Sequence, residues 1–129
     1  MKKKLIALFL VLLTLTSCSS GENSSIQNVD ARTFISTISD PSIKIIDVRS
    51  IGEYSAGHLQ GALNIDVESG GFEAGIANLD KTAAYALYCR SGRRSTLAAE
   101  RMVEAGFKNI FNFNQGGFAE LARAGAATE

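Results

Sequence analysis

Ala84-Tyr85-Ala86-Leu87-Tyr88-Cys89-Arg90-Ser91-Gly92-Arg93-Arg94-Ser95 is the stretch on which the fold turns. Its first six residues, Ala84 to Cys89, are an apolar run of strand length, suited to a sheet covered on both faces. From Ser95 the period changes to that of a helix. Leu97, Ala98, Arg101, Met102 and Ala105 trace a mainly apolar stripe, Ser95 is placed to cap its start, and Gly106 stops it. Strand, loop and helix therefore follow one another here as a β-α unit with Cys89 at the junction.

The same alternation extends in both directions. Upstream, Asp30 is a plausible N-cap for a helix through Ile38, with Phe34, Ile35 and Ile38 on one face, and Ile43 to Val48 is a β-branched strand. Gly57 and Gly61 bracket a turn before a short strand at Leu63 to Ile65, and Phe72 to Leu79 reads as a helix. Downstream, Ile110 to Phe113 reads as a strand and Gly117 to Ala122 as a short helix. Such alternation predicts an α/β fold, a mostly parallel sheet flanked by helices on both faces. In that architecture ligands bind beyond the carboxyl ends of the strands, where Cys89 falls.

The loop from Cys89 to Arg94 has the composition of an anion cradle. A helix start presents unpaired N–H groups and the positive end of its dipole, and Gly92 supplies the backbone freedom of a tight turn. Arg90, Arg93 and Arg94 add permanent charge in a forked geometry that matches oxyanions. These features favour a thiolate at Cys89. As a plain core residue, Cys89 would leave the three arginines and the glycine unexplained.

The N-terminus reads as a targeting segment. Lys2, Lys3 and Lys4 precede an uncharged run from Leu5 to Thr16, twelve residues, too short to span a bilayer. Leu15-Thr16-Ser17-Cys18 resembles the lipobox of bacterial lipoproteins, which implies cleavage after residue 17 and acylation of Cys18. Residues 18–25, small and polar after the cysteine, read as a tether, and residues 26–129 as the domain. The expected location is extracytoplasmic, lipid-anchored to a bacterial cell membrane at the cell surface or in the periplasm, with membrane contact through the lipid only. Without residues 1–17 the chain keeps ten basic and thirteen acidic residues, a net charge of −3, which argues against a nucleic-acid partner. With Cys18 acylated, Cys89 acts alone; there is no Cys-x-x-Cys for dithiol chemistry and no His/Cys cluster for zinc.

Three motifs in order, Ile-Ile-Asp-Val-Arg-Ser at 45–50, Glu-Tyr-Ser-Ala-Gly-His-Leu-Gln-Gly-Ala-Leu-Asn-Ile at 53–65 and Cys-Arg-Ser-Gly-Arg-Arg-Ser at 89–95, resemble a single-domain rhodanese. The resemblance implies a five-stranded sheet and a sulfurtransferase without cofactor or metal. In it Cys89 takes sulfane sulfur from thiosulfate or a similar small anion, holds it as a persulfide and passes it to a thiol, cyanide or protein acceptor. It also implies that Arg90, Arg93 and Arg94 bind the anion, that Ser91, Gly92 and Ser95 give backbone or capping groups, and that Asp47 and Arg49 support the site. Arg49 is placed to pair with Glu53 four residues on. His58, the only histidine, belongs to a turn and reads as structural. Leu121 stands where the family commonly carries an aromatic residue, so looser packing of the last helix is expected. A phosphatase would need Cys-x5-Arg, and Ser95 occupies the arginine's place. The remaining alternative is a non-enzymatic or sulfur-carrier module docking an envelope partner.

Overall fold

The computed structural model describes residues 24–129, so Cys18, the segment read as a signal and most of the segment read as a tether lie outside the described residues. Ten elements alternate along the chain: β1 (Ile26–Val29), α1 (Ala31–Ile38), β2 (Lys44–Asp47), α2 (Ile51–Ser55), β3 (Leu63–Asn64), α3 (Phe72–Ile76), β4 (Ala84–Tyr88), α4 (Arg93–Glu104), β5 (Asn109–Phe113) and α5 (Phe118–Arg123). The strands form one sheet in the order β1-β5-β4-β2-β3, and every pairing is parallel. This is the anticipated α/β architecture with five strands.

Side-chain alternation along the central strands builds two cores. From β4, Tyr85, Leu87 and the following Cys89 pack with Phe72 and Ile76 of α3 and Ala98, Ala99 and Met102 of α4. Ala86 and Tyr88 point the other way, toward Phe34 of α1, Leu121 of α5 and the partly buried Tyr54 of α2. Each large apolar side chain so enclosed contributes about 1.5–3 kcal/mol. The connections after β2 and β4 therefore leave on opposite faces of two adjacent strands, which opens a crevice between their carboxyl ends.

Local chemistry fixes the ends of the elements. Asp30 caps α1 as read, its Oδ1 accepting from the Thr33 N–H at 2.7 Å. Two elements escape periodicity. β1 is an edge strand with polar Gln27 and Asn28 at its centre, held by β5 alone. α2 is a single turn set by a capping box between Ser50 and Glu53, and it buries no residue fully.

Three details differ from the sequence reading. Ser95 does not cap α4: the helix starts at Arg93, Gly92 holds the cap position, and Ser95 lies buried inside the first turn. Leu97 stays 39% exposed while Ala99 takes its place on the buried face. Leu121 is fully buried, so α5 is closely packed without an aromatic residue at that position.

Candidate active site

Cys89 leaves β4 at the crevice, and the chain then turns tightly enough that the Gly92 N–H donates to Cys89 Sγ at 3.1 Å. The turn requires φ of +94° at Gly92, a conformation that carries no penalty only for glycine. A Cβ there would also sit 2.3 Å from the Asn114 carbonyl oxygen. On the other side the loop is clamped by the segment after β5. The Phe118 N–H donates to the Cys89 carbonyl at 2.9 Å, and Gly117 lies so near that a Cβ would meet the Arg90 carbonyl oxygen at 2.1 Å. Ser95 Oγ holds the base of the turn, donating toward the Gly92 and Phe113 carbonyls at 3.2 Å each.

Burial pushes the Cys89 thiol up, but hydrogen bonding from Ser95, Ser91 and Gly92 outweighs it, and the net shift is below the ordinary thiol value. The loop N–H groups, which the sequence reading set at the sulfur together with the arginines, thus carry the shift with help from the Ser95 hydroxyl. Cys89 is a free thiol with no exposed surface, so the loop encloses the sulfur rather than displaying it.

Gly92→Ala is expected to destabilise the domain by about 1–2 kcal/mol from the left-handed backbone alone, and further through the overlap with Asn114. Urea unfolding measures this; a change below about 0.5 kcal/mol would mean that the loop relaxes freely.

The loop arginines divide. Arg94 is paired bidentately with Glu53 of α2, at 2.7 and 2.8 Å, and Arg93 reaches Glu68 at 3.0 Å from an exposed position. Only Arg90, exposed, has no carboxylate partner among the described residues. Glu53 thus serves Arg94 and not Arg49. The Arg94 hydrogen bonds, against some burial and with help from the Ser50 N–H and hydroxyl, hold the Glu53 carboxyl at about 2 instead of 4.5. A depressed carboxyl stabilises the fold fully above pH of about 4.5 and progressively less as pH falls toward about 2. Stability of the wild type is accordingly expected to fall more steeply across that window than that of Glu53→Gln; parallel pH curves would count against the pair.

Arg49 instead pairs with Asp47. The buried carboxylate accepts from the Arg49 backbone N–H at 2.9 Å, from Nε at 3.0 Å and from Nη2 at 2.7 Å, and from the Tyr88 hydroxyl at 2.6 Å. Arg49 Nη2 also donates to the Gly57 carbonyl at 2.7 Å, and its guanidinium lies 4.6 Å from the centre of the Phe118 ring. Burial and the Asp47 carboxylate push the Tyr88 hydroxyl far above the ordinary phenol range, so it remains a donor. Tyr88, Gly117 and Phe118 were not singled out in sequence. The only local signals were a tyrosine next to Cys89 and a glycine pair after a strand.

His58 packs against α2. Its ring stacks on Tyr54 at 3.6 Å, with Nδ1 2.9 Å from the Tyr54 carbonyl, consistent with a structural role. Beside the loop, Arg49, Glu53, Ala56, Gly57, Arg90, Phe118 and Ala119 line an open cleft of about 330 Å³. Among the described residues no group of His, Cys, Asp and Glu is arranged to hold a metal ion.

The chain is similar to known proteins. The chain is 37% identical over 95 residues to the "Putative sulfur carrier protein YrkF" of Bacillus subtilis, a match covering 73% of this chain and 50% of that protein. It is 32% identical over 90 residues to a tRNA uridine(34) hydroxylase of Yersinia enterocolitica, covering 67% of this chain and 25% of the hydroxylase. The chain thus spans half or less of the length of these relatives. Among solved structures, the rhodanese-like domain of an Anabaena protein superposes with a TM-score of 0.71 at 26% identity, covering 79% of this chain and 77% of that one. A rhodanese of E. coli solved with anions superposes with a TM-score of 0.55 at 30% identity, covering 67% and 96%. The family model for the rhodanese-like domain matches residues 30–124, which include both strands of the crevice, the Cys89 loop and the Gly117 clamp, and on that span the chain belongs to the rhodanese-like domain family.

Proposed function

We propose that the domain is a sulfurtransferase in which Cys89 carries sulfane sulfur. The observation that carries this reading is the cradle, a sulfur at the start of α4 whose loop donors overcome the effect of burial on its pKa. The thiolate attacks the outer sulfur of thiosulfate. The sulfur–sulfur bond of the donor breaks, sulfite departs with the electron pair, and Cys89 is left as a persulfide anion. The same N–H groups that hold the thiolate hold this anion. Attack by cyanide or a thiol on the outer sulfur returns the Cys89 thiolate, so the cycle needs no external oxidant or reductant.

The test is intact mass of the domain after incubation with thiosulfate. A one-sulfur adduct on the peptide containing Cys89, discharged by cyanide, is expected. Absence of an adduct under conditions that load a known rhodanese would refute the reading.

The enclosed sulfur and the name of the Bacillus relative favour a second reading, a carrier whose acceptor is a protein. In that case thiosulfate loads Cys89 but cyanide and small thiols discharge it slowly. The N-terminal pattern supports an extracytoplasmic location for either role, held by acyl chains on Cys18. Labelling with palmitate that persists in Cys18→Ser would rule this anchoring out.

A further inference from the structure

Asn112 is a polar residue in an apolar place. It lies on β5 between Asn28 of β1 and Leu87 of β4, has no exposed surface, and reaches toward α4. Its Nδ2 donates to Asn28 Oδ1 at 2.9 Å and to Thr96 Oγ1 at 3.0 Å. Its Oδ1 is the one buried side-chain polar atom without a partner among the described residues. An apolar side chain would escape that penalty, so the reason for an amide here lies in what it donates to.

A hydroxyl carries one proton and two lone pairs. With the Asn112 amide on a lone pair, the Thr96 proton is committed to the Gly92 carbonyl, which it meets at 2.8 Å. The same carbonyl accepts from the Thr96 N–H at 3.1 Å and from the Ser95 hydroxyl at 3.2 Å. Three donors on one oxygen fix the residue that must hold a left-handed backbone and whose own N–H meets Cys89 Sγ at 3.1 Å. Contacts thus run unbroken from the edge strand to the sulfur's donor, through Asn28, Asn112, Thr96 and Gly92.

We propose that Asn112 and Thr96 are positioning residues for the Cys89 thiolate: Asn112 orients the Thr96 hydroxyl, the hydroxyl holds the Gly92 carbonyl, and Gly92 so held aims its N–H at Sγ. For catalysis the role rests on the sulfur-transfer reading; for the state of the thiol it stands alone. The charged groups around the loop take no part in the relay: Arg90, Arg93 with Glu68, Arg94 with Glu53, and the Asp47–Arg49 pair.

Titration of Cys89 by thiolate ultraviolet absorbance in the full chain, with Cys89→Ser as the blank, reads the effect. Thr96→Val keeps the shape of the residue and removes the hydroxyl. Its midpoint is expected to rise, so that at pH values below the midpoint the thiolate fraction falls about threefold, the scale of one weakened hydrogen bond. Thr96→Ser is expected to keep the wild-type titration. Asn112→Val is expected to match Thr96→Val, and the double variant to go no further, because the two residues act in series. Asn112→Ser, smaller and too short to reach Thr96, takes the place of Asn112→Val if that variant does not fold. A folded Thr96→Val with an unchanged titration would overturn the relay, as would single effects that multiply in the double variant. A shift in Thr96→Val with none in the Asn112 variant would remove Asn112 from it. Loading of Cys89 by thiosulfate below the midpoint is expected to slow by the same factor as the thiolate fraction. If thiosulfate loads no variant and not the wild type, the sulfur-transfer reading falls, while the titrations still judge the relay.

Discussion

Cys89→Ser is expected to end sulfur loading completely while leaving the domain folded. The argument rests on what the loop can and cannot shift. Donors from Ser95, Ser91 and Gly92 bring a thiol below its ordinary value in spite of burial, but a serine hydroxyl starts several units higher and remains neutral in the same cradle. A neutral hydroxyl is also a poor nucleophile toward sulfane sulfur, so both ionisation and reactivity are lost together. Stability is another matter. Serine is nearly the size of cysteine and can still accept from the Gly92 N–H that now meets Sγ at 3.1 Å, so the cost is that of burying a polar group with at least one partner, about 1–2 kcal/mol. Intact mass after exposure to thiosulfate and a thermal melt, run on the same preparation, check the two halves. An adduct of undiminished yield in the folded variant would move the chemistry to another residue. In the wild type, the loading rate is expected to rise with pH and level off below the ordinary thiol pKa.

What could be read from the chain was what is local to it. The Cys89 loop follows a strand and precedes a helix within twelve residues, and the alternating elements on either side announce a parallel sheet. The partners of its charges were not legible, because they come from distant segments: Arg94 meets Glu53 across 41 residues and Arg93 meets Glu68 across 25. Proximity along the sequence suggested Arg49 with Glu53, yet the fold gives each a better partner. Arg49 turns back onto Asp47, two residues away, because both lie at the buried end of β2. The start of α4 was misplaced for a related reason. Serine is a common cap, but the loop must close on the sulfur, and only the glycine three residues earlier takes the required backbone angle. Ser50 and Glu53 did carry a readable capping box, which periodicity passes over in a helix of a single turn. The clamp on the Cys89 and Arg90 carbonyls had no local signal, since it comes from the Gly117–Phe118 segment beyond β5.

Asp47→Ala is expected to cost about 3–5 kcal/mol, enough to bring a domain of ordinary stability close to unfolding. The carboxylate has no exposed surface, and its loss strands two groups at once. The Arg49 guanidinium, with 6% of its side chain exposed, keeps only the Gly57 carbonyl and the faces of Phe118 and Tyr88. The Tyr88 hydroxyl, which still accepts from the Leu59 N–H, loses the acceptor of its own proton. An uncompensated buried cation is the larger penalty, and it predicts a specific rescue. Removing both charges in Asp47→Ala/Arg49→Met is expected to restore more than half of the lost stability, because the desolvated guanidinium is then absent. Urea denaturation of the two single variants and the double variant reads the coupling directly. A single-variant loss below about 1 kcal/mol, or a double variant no better than Asp47→Ala, would show that water reaches the pair. The consequence for function runs through Phe118, which stacks on Arg49 and donates its N–H to the Cys89 carbonyl. When Arg49 loses its anchor that clamp loosens, so sulfur loading in Asp47→Ala is expected to fall further than the folded fraction alone accounts for, and to recover with the rescue.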